Sequence, residues 1–409
     1  MLSPYTVLDL TDDRGEFTAM ALGDMGADVI KVEPPQGSSS RGMAPFMDDA
    51  PEPERSLHYF AFNRNKRSVT LDLNVEAGRR ALVSLAEKAD FIIESAAPGH
   101  MDQLGIGFDI LKQANPRIVY VAITPYGQDG PYAHLAASDI TLAAMGGQMS
   151  VQGDPRRAPL RITVPQVWLH ASAEALVGAL TAHARMLATG EAQFVDVSAQ
   201  TAMVWSMLHA RVAHAVQGFD FNRSGSILQL VSLTIPLVYE CADGYIVMLP
   251  SGATMTKMVH WLVEDGVVPE EWIEGEDWPI YERNLLQQVE VHYQLDEVID
   301  AVSRFLRRRT KSELLEMGLR ESVTLAPVST MEDLARFRHL EERGYWLTAP
   351  LPNGAEAQVP GVLARPSETP MSVRCWAPAL GQHNREILGG TLGLSEDETA
   401  TASGRGKSI

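Results

Sequence analysis

Short apolar runs alternate with helical patterns over the first 125 residues of the chain. The apolar runs predict buried strands over 5–10, 29–33, 68–73, 90–94 and 118–123, and the helical spacing predicts helices over 16–25 and 75–89. Strands that are separated by helices of this length indicate a parallel sheet with helices on both faces. The opening of the chain therefore predicts an α/β fold.

The middle of the chain changes character twice. Apolar residues at helical spacing predict a long helix over 171–188, which Gly190 ends, and a second helical stretch follows Ser198. The pattern then predicts strands over 228–239 and 245–249, with a turn at Asp243-Gly244 between them, and a basic helix over 304–317. We therefore predict a second, smaller α/β domain over 225–330.

Composition and charge exclude several classes of protein. The 409 residues are 45% hydrophobic and 21% charged, which is ordinary for a folded protein and excludes disorder. The 52 acidic and 34 basic residues give a net charge of -18, which repels nucleic acids and anionic membranes. The two cysteines, Cys241 and Cys375, are far apart and predict neither a disulfide framework nor a metal site.

The location of the protein is predicted from segments that the sequence lacks. The N-terminus shows no signal peptide, and no apolar stretch reaches the ~20 residues that a membrane-spanning helix needs. Together with the low cysteine content, this predicts a soluble cytoplasmic protein that has no membrane partner.

A dinucleotide-binding site is disfavoured by the first turn of the predicted sheet. The turn at 9–17 contains one glycine where the NAD and FAD fingerprint has three, and the Walker phosphate loop is absent from the chain. Asp12, Asp13 and Glu16 would repel a pyrophosphate at the start of the following helix. The sequence therefore argues against an oxidoreductase.

Five segments in the same order resemble family III CoA-transferases, also known as the CaiB/BaiF type. They are Leu22-Gly-Asp-Met-Gly-Ala-Asp-Val-Ile-Lys-Val-Glu33, Asn63-Arg-Asn-Lys-Arg-Ser68, Tyr126-Gly-Gln-Asp-Gly-Pro-Tyr132, Thr189-Gly with Phe194-Val-Asp-Val-Ser198, and Leu380-Gly-Gln-His383. The resemblance covers most of the chain. It implies a Rossmann-like large domain from both chain ends, with 1–200 as its N-terminal part and 331–409 as a return segment. It also implies two subunits that interlock as rings.

The resemblance assigns coenzyme A or an acyl-CoA as the ligand, with no further cofactor. It carries the CoA-binding role to Arg41 and to Asn65, Lys66 and Arg67. A basic turn in an acidic chain is consistent with this role, because the phosphates of CoA need cations. Ser95-Ala-Ala-Pro-Gly99 departs from the family pattern, which has polar residues before Pro-Gly.

The family acts through an aspartate whose carboxylate attacks the thioester and forms a covalent intermediate. Counting forward from Pro159-Leu160 and backward from Thr189-Gly190 places Trp168 at that position. An indole cannot be the nucleophile. Glu174 is a weak substitute because it lies six residues further along the predicted helix. The racemases of the family also need a histidine before the position of Asp139, where this chain has Ser138.

Our leading hypothesis is that the chain is the aspartate-less subunit of a heteromeric acyl-CoA:carboxylate CoA-transferase. Benzylsuccinate CoA-transferase is the heteromeric family member that it most resembles, and the expected partner is a paralogue that carries the catalytic aspartate. One alternative is a self-sufficient homodimeric transferase or 2-methylacyl-CoA racemase that uses another residue. A second alternative is a non-enzymatic acyl-CoA binding protein.

Overall fold

The computed structural model of the chain describes residues 1–229 and 233–404, which form two compact units. The first unit combines Met1–Met149, Arg161–Asp220 and His339–Ile409, whose last five residues lie outside the described part. The second unit combines Ser150–Leu160 and Phe221–Arg338. The first unit therefore draws on both ends of the chain.

A six-stranded sheet forms the centre of the first unit. Its strands are β1 (Thr6–Leu10), β2 (Asp28–Glu33), β3 (Lys66–Thr70), β4 (Phe91–Glu94), β5 (Val119–Thr124) and β6 (Gln193–Ser198). Their spatial order is β3-β2-β1-β4-β5-β6, and neighbouring strands are parallel. This is the strand order of the Rossmann fold. The predicted α/β fold is confirmed.

Helices occupy most of the connections in the first unit. They are α1 (Glu16–Asp24), α2 (Leu57–Phe62), α3 (Glu76–Ala86), α4 (His100–Gln103), α5 (Phe108–Ala114), α6 (Asp139–Met145), α7 (Gln148–Val151), whose last two residues belong to the second unit, α8 (Val167–Thr189), α9 (Ala199–Trp205) and α10 (Leu208–Gln217). A core lies on each face of the sheet, and the alternation of strand side chains divides β1 between them: Val7 belongs to one core and Leu8 to the other.

The long helix α8 begins four residues before the predicted start. A carboxylate from α6 caps it: Asp139 Oδ1 accepts the backbone N–H of Val167 at 2.9 Å. This cap lies 28 residues away in sequence, so the helical pattern alone does not reveal it. Gly190 ends the helix with a φ of 76°, a left-handed conformation that glycine adopts without strain.

The second unit is a small α/β unit with its own core. Its strands are β7 (Ile227–Gln229), β8 (Thr234–Pro236), β9 (Val238–Cys241), β10 (Gly244–Met248) and β11 (Leu325–Pro327), and its helices are α11 (Gly252–Glu264), α12 (Tyr281–Leu286), α13 (Leu295–Leu306), α14 (Lys311–Glu321) and α15 (Met331–Ala335). Strands β11, β10 and β9 form an antiparallel sheet. Residues 230–232 of the strand predicted over 228–239 lie outside the described residues.

The single basic helix predicted over 304–317 is wrong. Helix α13 ends at Leu306, and α14 begins at Lys311. Thr310 starts the second helix with a capping box, because its hydroxyl accepts the N–H of Glu313 while the Glu313 carboxylate accepts the N–H of Thr310. A cap of this kind begins a new helix in the middle of a continuous basic run.

The end of the chain returns to the first unit. It contains α16 (Arg338–Glu342), a hairpin of β12 (Trp346–Pro350) and β13 (Glu356–Pro360), a π-helical segment over Arg385–Thr391, and α17 (Glu396–Ala402). Side chains of this return segment accept hydrogen bonds from the backbone of the edge strand β3. The N–H of Ser68 donates to His383 Nδ1 at 3.1 Å, and that of Thr70 donates to Asn384 Oδ1 at 2.8 Å. Among the described helices, none is long and apolar enough to cross a membrane.

Candidate functional site

The carboxyl ends of β1 and β4 mark the place where the sheet reverses its direction of winding. In open α/β sheets, ligands bind in the crevice outside this point. A cavity of about 330 Å³, here called the edge cavity, lies there. Its polar lining comes from residues at or after the ends of β2, β3 and β4, namely Glu33, Gln36, Asp72, Asn74, Glu94 and His100.

Glu94 is the most perturbed acid of the edge cavity. Its side chain is almost fully buried and accepts the backbone N–H of Ala96 at 2.5 Å. Burial raises the pKa of Glu94 to about 7, although the hydrogen bond from Ala96 and the charge of Arg14 oppose the shift. Glu94 therefore changes its charge near neutral pH, inside a cavity.

A second cavity, here called the Trp168 cavity, has a volume of about 340 Å³ and lies at the start of α8. The indole of Trp168, which is 9% exposed, forms part of its wall. Phe17, Phe62 and Leu169 add apolar surface. The position that the family resemblance assigns to the nucleophile therefore faces a cavity, and it presents an aromatic ring to it.

The polar groups of the Trp168 cavity differ in how far they are paired. Arg14 donates from Nε and Nη2 to Asp12 at 2.8 and 2.6 Å, and Asp139 caps α8. Burial and the neighbouring charge of Asp12 raise the pKa of Asp13. The Nε2 atom of His58 is buried and has no hydrogen-bond partner within the described chain. Asp13 accepts a hydrogen bond from Ser39 Oγ at 3.4 Å and, unlike Asp12, is not held by an arginine of the described residues.

The predicted substitute nucleophile lies elsewhere. Glu174 is exposed on α8, and the wall of the Trp168 cavity, as far as the described residues form it, does not include Glu174. Ser138 caps α6 through Thr141 and also lines the cavity. Of the positions that the family resemblance assigns to catalysis, the structure therefore brings Trp168, Ser138 and Asp139 to the wall of one cavity.

The predicted CoA ligand Arg41 is 1% exposed and paired inside the unit. Its Nε donates to Glu33 Oε2 at 2.7 Å and its Nη2 to Glu33 Oε1 at 2.9 Å, which is a bidentate ion pair. Its guanidinium also lies 3.7 Å from the centroid of the Tyr59 ring. Because Glu33 lines the edge cavity, Arg41 acts on that cavity through the carboxylate that it holds.

Asn65 and Lys66 are also used internally. The Asn65 amide donates to Asp24 Oδ1 and to the Ser372 carbonyl, both at 2.8 Å. The Lys66 ammonium is fully buried and lies 2.8 Å from Asp9 Oδ2. Burial alone would raise the pKa of Asp9, but the ammonium groups of Lys31 and Lys66 outweigh it and lower that pKa.

Arg67 differs from the other three predicted CoA ligands because 26% of its side chain is exposed. It pairs with Asp28 at 2.5 Å and with Glu386 of the return segment. A CoA phosphate could reach this guanidinium from solvent without unfolding the turn. The CoA-binding role of the four residues stays a prediction, and Arg67 is the one of them whose side chain is substantially exposed to solvent.

Three residues of these cavities were not predicted as site residues. Glu94 ends a predicted strand, and Asp13 follows another, so their placement at strand ends was a usable signal. His58 carried no such signal. In the described part of the chain, no group of three or more His, Cys, Asp or Glu side chains could hold a metal ion.

Comparisons with known proteins identify relatives along nearly the whole chain. The model of CoA-transferase family III matches residues 2–384. The chain is 32% identical over 399 residues to the succinyl-CoA:(R)-benzylsuccinate CoA-transferase subunit BbsE of Thauera aromatica, covering 94% of this chain and 93% of that one. It is 28% identical over 389 residues to the succinyl-CoA--D-citramalate CoA-transferase of Chloroflexus aurantiacus, covering 94% and 92%.

A solved structure shares the fold. The crystal structure of a CAIB/BAIF family protein from Brucella suis superposes with a TM-score of 0.79 at 24% identity, covering 94% of this chain and 97% of that chain.

We predict that Lys66 and Arg67 respond differently to substitution. Lys66→Met should lower the free energy of unfolding by about 3 kcal/mol, because it leaves Asp9 buried without its nearest cation. Arg67→Gln should cost less than about 1 kcal/mol but weaken CoA binding roughly tenfold or more, as the loss of a charge-assisted phosphate contact does. Denaturant unfolding and calorimetric titration with CoA measure the two effects. If Arg67→Gln binds CoA as tightly as the unsubstituted protein, the prediction that this turn contacts CoA is wrong.

We predict that Glu94 makes the stability of the fold depend on pH. The carboxyl group ionises near its ordinary pKa of 4.5 in the unfolded chain but near 7 in the folded one. The contribution of Glu94 to the free energy of unfolding is therefore fully present below about pH 4.5 and is lost as the pH rises to about 7. Between pH 5 and pH 8, the free energy of unfolding of Glu94→Gln should rise by roughly 2–3 kcal/mol relative to that of the unsubstituted protein. Equal pH profiles of the two proteins in denaturant unfolding would contradict this.

Proposed function

The chain belongs to CoA-transferase family III, and from this premise we propose that it is the aspartate-less, non-catalytic subunit of a heteromeric acyl-CoA:carboxylate CoA-transferase. The reaction would move CoA from one acid to another, and a paralogous subunit would supply the nucleophilic aspartate. The Thauera relative is itself described as a subunit, which supports an assembly of this kind. Its substrates, succinyl-CoA and benzylsuccinate, are the first pair to test.

The observation that carries the proposal is the side chain at the start of α8. Trp168 stands where the family resemblance expects the nucleophile, and its indole lines the cavity. Covalent catalysis needs an oxygen, sulfur or nitrogen nucleophile with a lone pair, which a carbon-linked indole does not offer. The nearby Asp139 carboxylate is committed to the N–H of Val167. Under this proposal, neither Trp168 nor Asp139 supplies the group that forms the acyl intermediate.

We infer that the edge cavity receives part of the acyl-CoA. Its place at the switch point of the sheet supports a nucleotide ligand. Its acidic lining, with Glu33, Asp72 and Glu94, suits the hydroxyl and amino donors of a nucleoside better than phosphates. Arg41 would then support the site by holding Glu33, and Arg67 would meet a phosphate. Asn65 and Lys66 would act only on the packing of the first unit, since their partners do not line this cavity.

We infer that the partner subunit packs on α10. Leu208, Val212 and Val216 recur every fourth residue along one side of this helix and are 49%, 53% and 76% exposed. Large apolar side chains in a row on a helix are unusual at a free surface. A helix with one apolar side is typical of a protein interface. We propose an interlocked assembly in the cytoplasm that uses this surface.

One observation favours a second candidate function. Asp13 is a carboxylate in the wall of the Trp168 cavity, so a self-sufficient transferase could use it as the nucleophile. Its pKa is raised by burial and by Asp12, which lowers the share of the ionised, reactive form.

We predict that activity requires the partner. The isolated chain should transfer CoA from succinyl-CoA to benzylsuccinate at least about 1,000-fold more slowly than the same chain co-expressed with an aspartate-bearing paralogue, because a missing nucleophile costs at least that much. Chromatography of the CoA esters measures the transfer.

The matched control is Asp13→Asn in the isolated chain. If the isolated chain is active, forms an adduct that hydroxylamine traps, and loses both with Asp13→Asn, the self-sufficient transferase is correct and the silent subunit is wrong.

We predict that Val212→Asp weakens association with the partner at least about tenfold, because a charge in an apolar contact must be desolvated. The isolated chain should keep its stability within about 0.5 kcal/mol, since the side chain is exposed. Gln217→Asp, which changes an exposed residue away from the apolar row, is the control. Equal association of both variants would place the interface elsewhere.

A further inference from the structure

A third cavity, here called the hairpin cavity, has no role in the function proposed above. Its volume is about 520 Å³, and residues of α1, α2 and the β12–β13 hairpin line it. All of the described lining residues belong to the first unit, and none of these lines the edge cavity. Protein interiors contain few voids larger than a water molecule, and ligand sites have about this size, so the cavity points to a ligand.

The wall of the hairpin cavity is rich in aromatic rings. They are the rings of Phe17, Phe60, Phe62, Tyr345 and Trp376. Phe60 and Trp376 are nearly parallel, with their centroids 5.9 Å apart and an angle of 13° between the ring planes. Aromatic rings attract one another in offset-stacked and edge-to-face arrangements, beyond what the burial of area gives. A planar aromatic molecule therefore matches this wall.

The charges in the wall are already paired with each other. Among the described lining residues, only Asp24 and Arg64 have charged side chains. Arg64 donates from Nε to Asp24 Oδ1 at 3.1 Å and from Nη2 to Asp24 Oδ2 at 2.7 Å. Its Nη1 also donates to the Pro360 carbonyl at 2.7 Å, and its Nη2 to the Gly361 carbonyl at 2.9 Å. A charged ligand would be buried here without a partner, so the wall selects an uncharged one.

The hairpin presents only one of its faces to the cavity. Leu351, Ala357 and Val359 line it, whereas Glu356 and Gln358 are exposed. Successive side chains of a strand point to opposite faces, which explains this alternation. A larger side chain at position 357 would therefore fill the cavity, and the same change at position 358 would not.

The hairpin cavity shares part of its wall with the Trp168 cavity but differs from it in chemistry. Phe17, Phe62 and Leu169 line both. The titratable groups Asp13, His58 and Asp139 line the Trp168 cavity alone. A carboxylate or a phosphate finds no unpaired cation among the described residues of the hairpin cavity.

We propose that the hairpin cavity binds a free, uncharged aromatic molecule, distinct from the acyl-CoA and the acids of the proposed reaction. The molecule packs against the rings of α2 and of the return segment, and binding changes no covalent bond. Because it contacts α1, α2 and the hairpin together, the ligand fastens the return segment to the helices of the first unit. The inference concerns this chain alone, so it holds with or without a catalytic partner.

The experiment is equilibrium dialysis of the purified full chain against three probes of one ring system. They are the neutral naphthalene, the anionic 2-naphthoate and the cationic 2-naphthylmethylammonium. Naphthalene should bind at least about tenfold more tightly than either ion, because an ion would be buried without a partner. Ala357→Phe should weaken the binding of naphthalene at least about tenfold by filling the cavity. Gln358→Phe, on the opposite face of β13, is the matched control and should leave the affinity unchanged.

Trp376→Leu keeps the test decisive if Ala357→Phe fails to fold. This change removes one ring of the pair with Phe60 and should weaken naphthalene about threefold or more. Trp205→Leu, at an exposed tryptophan outside the cavity, is its control.

The proposal is overturned if naphthalene does not bind or if either ion binds as tightly. It is also overturned if Ala357→Phe and Trp376→Leu both bind naphthalene as the unsubstituted chain does, since binding would then belong to another site, such as the Trp168 cavity, which neither residue lines. The partner-dependent activity test does not involve naphthalene, so the two proposals fail separately.

Discussion

The first unit depends on a buried network of charges that must all be paired. Asp9, Glu16, Lys31, Glu33, Arg41 and Lys66 are almost completely removed from solvent. A buried charge without a partner costs several kcal/mol, so each of these groups fixes the position of the next. Lys31 of β2 lies 3.0 Å from Glu16 and 3.5 Å from Asp9. Lys66 of β3 reaches Asp9 of β1 across the intervening strand β2. The network therefore sets the register of β1, β2 and β3 and the place of the edge cavity beside them.

The same constraint explains why a basic turn is not a basic patch. Three cations fall within 64–67, but two of them, Arg64 and Lys66, form ion pairs with carboxylates of α1 and β1. Those carboxylates lie 40 to 57 residues away in sequence, so local charge counting cannot assign the pairs. Among the described residues that line the Trp168 cavity, in contrast, His58 Nε2 is a buried atom without a hydrogen-bond partner.

Sequence patterns located the buried strands of the sheet and the long helix α8, because apolar runs and helical spacing report burial directly. Strand β6 was not predicted, since its residues alternate between partial and full exposure over most of its length at the edge of the sheet. The break between α13 and α14 depends on a capping hydroxyl within a basic run, and the true start of α8 depends on a carboxylate from another helix. The position of Trp168 could be found by counting along motifs. That His58 Nε2 is buried without a hydrogen-bond partner among the described residues follows only from the three-dimensional structure.

The way in which the return segment finishes the edge of β3 has a consequence for how the protein is made. The N–H of Thr70 finds its acceptor on a residue 314 positions later. At about 5–20 residues per second, a ribosome needs roughly 15–60 s to supply it. Throughout that time the nascent sheet has an open edge, which invites pairing with other chains. A stalled or truncated chain leaves the N–H groups of β3 without these acceptors, so correct folding depends on complete synthesis of the return segment.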